Sequence, residues 1–197
     1  DHIRFLMREV NHRAKNLLAV VRAIARQTAA HTEASAFTPR FDERLSGLAA
    51  SYDLLVHNRW QGVDIADLAK AQLAHFADLI GERISLQGEP FRLNASAAQN
   101  LGLALNELST NAAKYGALST LSGRLEIVWH VEENSVPPRF VLSWQEIGGP
   151  QVSQPARRGL GHRLTTGFIE QAVKLKDKAD ERERMYIDAL SAFIKAG

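Results

Sequence analysis

Leu103–Ser119 reads LALNELSTNAAKYGALS, and its periodicity decides how the rest of the chain is arranged. At about 100° per residue, Leu101, Leu105, Leu108 and Ala112 fall on one helical stripe. Asn100, Glu107, Asn111 and Lys114 fall on a second stripe, roughly a quarter turn away. The spacing therefore predicts a helix with one apolar face and one face bearing an amide, a carboxylate, an amide and an ammonium. Glu107 and Asn111, at i and i+4, can turn both oxygens toward one hard cation. Lys114, a turn further on, can reach an anion held by that cation. Magnesium with a polyphosphate fits this set; a solvated face with one Glu–Lys pair fits the same spacing. Gly116 ends the helix, as glycine commonly does past a last turn.

Composition narrows the classes. The chain has 197 residues, 45% of them hydrophobic, enough for one large or two small domains with a real core. A net charge of +2 and a pI near 9.1, with no basic run interleaved with aromatics, argue against a nucleic-acid partner. There are no cysteines, which rules out a disulfide framework or thiolate zinc site and fits a reducing cytoplasm. No apolar run approaches the ~18 residues of a membrane span. The pattern is already helical at Asp1, which reads as a fragment or as the continuation of an upstream helix.

Upstream of the opening stretch, residues 3–29 form an amphipathic helix. Ile3, Leu6, Met7, Val10, Ala14, Leu17, Val21 and Ile24 make its apolar stripe. His12 and Asn16 lie nearly opposite, among Arg8, Glu9 and Lys15. That position suits an ordinary surface histidine or one held out for chemistry; an exposed neutral imidazole is a competent nucleophile near pH 7. His31–Thr38 reads as a loop, with Thr38 as N-cap and Pro39 at the first helical position. Phe41, Leu45, Leu48, Tyr52 and Leu55 then form a coiled-coil-like seam, completing a helical hairpin over residues 1–60. Its two apolar stripes can be covered by a second copy, as a four-helix bundle, or by the rest of the chain.

After Trp60-Gln61-Gly62, Asp64 caps a helix running to about Ile80, and Gly81 stops it. Ile84 and Leu86 mark a strand, and Phe91 and Leu93 a possible second. Asn94 or Ser96 opens the helix described first. Two clear strands follow Gly123, with Leu125, Ile127 and Trp129 on one face of the first and Phe140, Leu142 and Trp144 on one face of the second. The expected class is α+β, with helices on one face of a small, largely antiparallel sheet. Glu146 shares the parity of Trp144, which points it to the covered face, where a lone carboxylate is costly. Gly148, Gly149 and Pro150 follow. Arg157-Arg158-Gly159-Leu160-Gly161 then opens a further helix, bringing backbone amides and guanidinium groups where phosphate could sit.

Taken in order, HRxKN, NELxTNAxKYGALS, WxE-x-GGP and RRGxG resemble the HWE-type sensor histidine kinases, from about Leu6 to Val173. The resemblance implies a dimerisation and phosphotransfer hairpin (1–60) followed by an ATP-binding domain of GHKL or Bergerat type (61–173). His12 would be the phosphoacceptor. Asn111 would ligate magnesium bridging the ATP phosphates, and Glu107 would hold that magnesium or its water, or assist proton transfer. Lys114 and Tyr115 would lie along the nucleotide, and Glu146 where related ATPases place an adenine-reading aspartate. Gly148, Gly159 and Gly161 would belong to a lid over the phosphates, with Arg157 or Arg158 taking developing charge. ATP and Mg2+ are the implied cofactors. The implied partners are a second copy, bound through the hairpin, and a response-regulator receiver domain.

Two departures stand out. Asn106 occupies the position where the family carries a histidine before Glu107. Residues 174–197 read as a charged amphipathic helix instead of closing strands. A degenerate kinase that binds nucleotide and serves as a dimeric docking scaffold is the alternative these departures raise.

Overall fold

The computed structural model describes residues 2–132 and 139–150. The expectations for Arg157, Arg158, Gly159, Gly161 and the tail helix 174–197 lie outside the described residues. By its contacts the chain divides into two compact units, one ending at Ser46 and the other beginning at Gly47.

In the first unit, α1 (His2–His31) is the helix the periodicity predicts. Ile24 and Thr28, one turn apart, are buried, and so is Arg44 at 3% exposure. The Arg44 guanidinium donates to the Thr28 hydroxyl at 2.6 Å, and that hydroxyl donates to the Ile24 carbonyl at 2.7 Å. A guanidinium taken out of water needs such acceptors, so this chain of bonds fixes where α2 meets α1. Met7, Val10 and Leu18, by contrast, are more than 60% exposed.

The second helix, α2 (Ala34–His57), starts earlier than Thr38-Pro39 suggested. Pro39 stands inside it as the sixth residue, past the first turn, so the helix forgoes the i→i−4 bond that an N–H at this position would give to Ser35 O. The rings of Phe37 and Phe41 stack at 5.5 Å, 11° from parallel, across the proline. That i, i+4 contact extends the helix through the expected cap.

From Gly47 onward α2 packs with the second unit, whose core holds Leu55 together with Val63, Ile65, Leu68, Leu73, Ile84, Leu93, Leu105, Leu125 and Ile127. Here the α2 stripe is covered by the chain itself. The helix ends at His57, and Arg59 and Trp60 take left-handed conformations at φ 51° and 61°. The strain is held by an edge-to-face contact between Trp60 and Tyr52 at 5.6 Å.

The elements that follow are β1 (Val63–Asp64), α3 (Ile65–Gln72), β2 (Ile84–Gly88), β3 (Arg92–Leu93), α4 (Ala95–Lys114), β4 (Arg124–Glu132) and β5 (Arg139–Ile147). Asp64 caps α3 by accepting from Ala66 N at 2.9 Å. The helical stretch to Ile80 is interrupted: after Gln72 it tightens into a 3-10 turn over Ala74–Leu79, kinked at Phe76. β1 and β3 form a short antiparallel pair.

The larger sheet has the order β2-β4-β5. It is mixed: β4 pairs antiparallel with β5 along the whole of both strands, which makes the sheet largely antiparallel as expected, but the shorter pairing of β4 with β2 is parallel. A parallel pair needs a long crossover, and α4 lies within it. Leu125, Ile127 and Trp129 are buried while Val128 and His130 are exposed, so one sheet face carries the helices and the other is open among the described residues, as the alternation predicts. The fold is α+β.

Candidate functional site

The helix α4 organises the site. Asn94 caps it, accepting from Ala97 N at 2.8 Å. Leu101, Gly102, Leu103, Leu105, Ser109 and Ala112 are buried, so the apolar face reaches further around the helix than the first stripe implied. The reason is visible on its α2–α3 side, where the packing is polar and close. The Gln72 amide donates to Gly47 O and to Ser51 Oγ, each at 3.0 Å, and Ser109 Oγ donates to Asn106 O at 2.9 Å. Gly102 lies opposite Ser51, and a Cβ there would collide with the serine hydroxyl. Asn106, the residue in place of the family histidine, packs on Gly47: a Cβ on that glycine would meet Asn106 Cγ at 2.5 Å.

On the second stripe Glu107 is only 8% exposed, which removes the solvated-face reading for that residue. Asn111 is half-buried, and Lys114 and Tyr115 are exposed. The four residues thus run from the interior to the surface along the last two turns of α4. The helix closes with Gly116 N on Asn111 O and Ala112 O, both at 3.1 Å.

Glu146 meets the chain just past that end. Its Oε2 accepts from Ala117 N at 2.7 Å and its Oε1 from the Trp144 indole at 3.1 Å. A side chain on Gly116 would occupy the place of this carboxylate. The parity expectation is half right. Glu146 pairs with Leu125, whose side chain is fully buried, so it lies on the helix side of the sheet. It is nevertheless exposed, because α4 stops at Lys114 and leaves the strand end uncovered among the described residues. Gly148, at φ +71°, directs its carbonyl toward Thr120 Oγ1 at 3.3 Å.

Sequence reading missed the floor beneath this corner. Arg83 Nε donates to Gly123 O at 2.8 Å, and its Nη2 donates to Thr120 O. An arginine flanking a strand carries no motif, and its partners are backbone atoms some 40 residues away, so pattern alone could not find it.

His12 lies in the first unit, on α1, and is exposed. Asn16 Nδ2 stands 3.4 Å from His12 Nδ1. With the amide nitrogen facing the ring, Nδ1 accepts and Nε2 carries the proton. With the amide turned over, Oδ1 would accept from Nδ1–H and leave the Nε2 lone pair for attack.

A nucleotide and magnesium fit the donor set of the second unit. Magnesium bound with phosphates takes only one or two protein ligands. Glu107 and Asn111 offer one carboxylate and one amide. Among the described residues no group of three or more His, Asp or Glu could hold a metal ion, so a metal there would depend on ligands such as phosphate oxygens.

Comparison with known proteins gives the class and then the family. A solved histidine kinase domain from an Erythrobacter litoralis blue-light activated histidine kinase superposes with a TM-score of 0.50 at 16% identity, covering 79% of this chain and 86% of that one. At that identity the likeness speaks for the fold: this is the fold of a histidine kinase domain. Residues 9–90 match the HWE histidine kinase family. Blue-light-activated histidine kinases of Brucella ovis and Brucella abortus are 38% identical over 170 residues, 86% of this chain and 35% of theirs. That of Brucella anthropi is 37% identical over the same span. The chain is therefore an HWE-type histidine kinase homologue, and it spans about a third of the length of these curated relatives. No helix among the described residues is long and apolar enough to cross a membrane.

Proposed function

We propose that this chain transfers the γ-phosphoryl group of ATP to His12 and passes it on to an aspartate of a response-regulator receiver domain, in two-component signalling. The observation that carries the reading is His12, exposed on α1 inside the stretch that matches the family. In this reading Asn111 and Glu107 hold magnesium on the ATP phosphates. Lys114 and Tyr115 lie along the nucleotide, and Glu146 faces the adenine edge. Gly148, Arg158, Gly159 and Gly161 are assigned to phosphate binding by the family resemblance. Such transfer depends on positioning and on charge neutralisation, and magnesium supplies the second. The chain works as a homodimer through α1, whose Met7, Val10 and Leu18 are exposed and give a second copy an apolar surface to cover. The reaction belongs in the cytoplasm, where a chain without cysteine is at home.

The test is incubation with γ-labelled ATP and magnesium, followed by acid treatment of the labelled protein. The expected result is an acid-labile, base-stable label in wild type, absent in His12→Ala, with ATP affinity kept within a few-fold in the variant. Nucleotide binding with no label in wild type would instead support the docking-scaffold reading, which the Asn106 departure favours.

A further inference from the structure

We infer that Arg83 and Thr120 are positioning residues for purine selection, because they fix the loop on which Glu146 rests. This rests on the nucleotide-site reading above. Three segments distant in sequence converge here: the turn before β2, the loop between α4 and β4, and the end of β5. Arg83, half-buried, reaches from the first segment to two carbonyls of the second, Gly123 O and Thr120 O. Its own carbonyl accepts from Leu125 N at 2.9 Å. A guanidinium fork presents several donors in one rigid plane, so the two carbonyls are held at a fixed spacing and not merely attracted.

Thr120 relays that fixation. Its hydroxyl accepts from Gly123 N at 3.0 Å, and its single proton lies within reach of Ala117 O at 3.1 Å and Gly148 O at 3.3 Å. Ala117 is the residue whose N–H binds Glu146 Oε2. Arg83 therefore sets Thr120, Thr120 sets Ala117 and Gly148, and Ala117 sets the carboxylate. A displacement of the loop by a fraction of an ångström rotates Glu146 without unfolding anything. Hydrogen-bond selectivity between purines depends on that orientation, since adenine presents an amine where guanine presents a carbonyl. Loss of position costs discrimination more than it costs binding.

The test measures ATP and GTP dissociation constants for the full chain and its variants in magnesium, with the thermal midpoint recorded for each. Arg83→Met should lower the ATP-over-GTP preference about tenfold, with the labelling rate at saturating ATP kept within a few-fold. Arg83→Lys, which offers one donor group instead of a fork, should fall between wild type and Met. Thr120→Val, matched in shape but without the relay, should lose preference as Arg83→Met does, and the double variant should lose little more than either alone. If the preference stayed at the wild-type ratio in both single variants while the thermal midpoint fell, the brace would be structural only and the inference wrong. Wild type failing to bind either nucleotide would overturn the underlying nucleotide reading, a separate and distinguishable result.

Discussion

Glu146→Gln is the sharpest perturbation the site offers, because both groups that the carboxylate binds are donors. Ala117 N–H and the Trp144 indole N–H each need an acceptor, and they approach different oxygens. A glutamine brings one oxygen and one amide nitrogen. Whichever way it turns, one donor faces another donor. A hydrogen bond to a charged acceptor is worth about 1.5–3 kcal/mol, and solvent exposure places this pair near the lower end. Those two bonds are internal, and their loss costs local stability; the adenine amine would at the same time lose a charged acceptor worth about 1.5–2 kcal/mol at this exposure, or roughly ten- to thirtyfold in affinity. ATP affinity, measured by titration calorimetry with magnesium, should fall by that factor, and GTP affinity should fall by less. Trp144→Phe removes one of the two donors, so in that background the glutamine can turn its oxygen to Ala117. The stability cost of Glu146→Gln should then shrink by about 1 kcal/mol, a coupling of the size seen between touching residues. An unchanged ATP-over-GTP ratio together with zero coupling to Trp144 would refute the reasoning.

Three further outcomes are expected. Asn111→Ala should abolish the magnesium dependence of nucleotide binding, measured with and without chelator, while leaving the thermal midpoint nearly unchanged, because the side chain is only half-buried. Gly102→Val should destabilise the fold by about 2–3 kcal/mol, read as a drop in denaturant midpoint, because the new side chain meets the Ser51 hydroxyl with Gln72 Nε2 and Leu68 Cδ1 at 3.3 Å behind it; Ser51→Ala in the same chain should recover part of the loss. Met7→Glu combined with Leu18→Glu should convert a homodimer to monomer in light scattering without a change in helicity, and a wild-type chain that is already monomeric at micromolar concentration would contradict the dimer.

What the sequence disclosed, and what it withheld, follows from range. The α4 helix and the alternation of Leu125, Ile127 and Trp129 are local patterns that stand in the structure, and of the two caps the sequence offered, Asn94 and Ser96, the structure uses Asn94. The family blocks were legible for the same reason. The parallel pairing of β2 with β4 was not, since Ile84 and Leu86 alternate identically whichever way a partner strand runs. The start of α2 was misplaced because a Thr-Pro cap is a local signal, and the stacking of Phe37 on Phe41 outweighs it. Glu146 was set correctly by parity but wrongly by burial: parity is fixed by the strand itself, whereas burial depends on where a helix 30 residues earlier happens to stop. Arg83 is the extreme case, a side chain whose role lies wholly in backbone atoms elsewhere.

The parallel alignment of β2 with β4 also bears on how the molecule comes into being. The chain must lay down β2, build the whole of α4 and return before Ile84 can find Leu125. Closing so long a connection costs entropy that is recovered only when the strands pair. The helix bearing Glu107, Asn111 and Lys114 is that connection. Docking of α4 onto the sheet and the pairing of the two strands are therefore coupled, because the packed helix shortens the connection that the pairing must close. Selection on the speed and fidelity of folding thus acts on the same twenty residues as selection on chemistry.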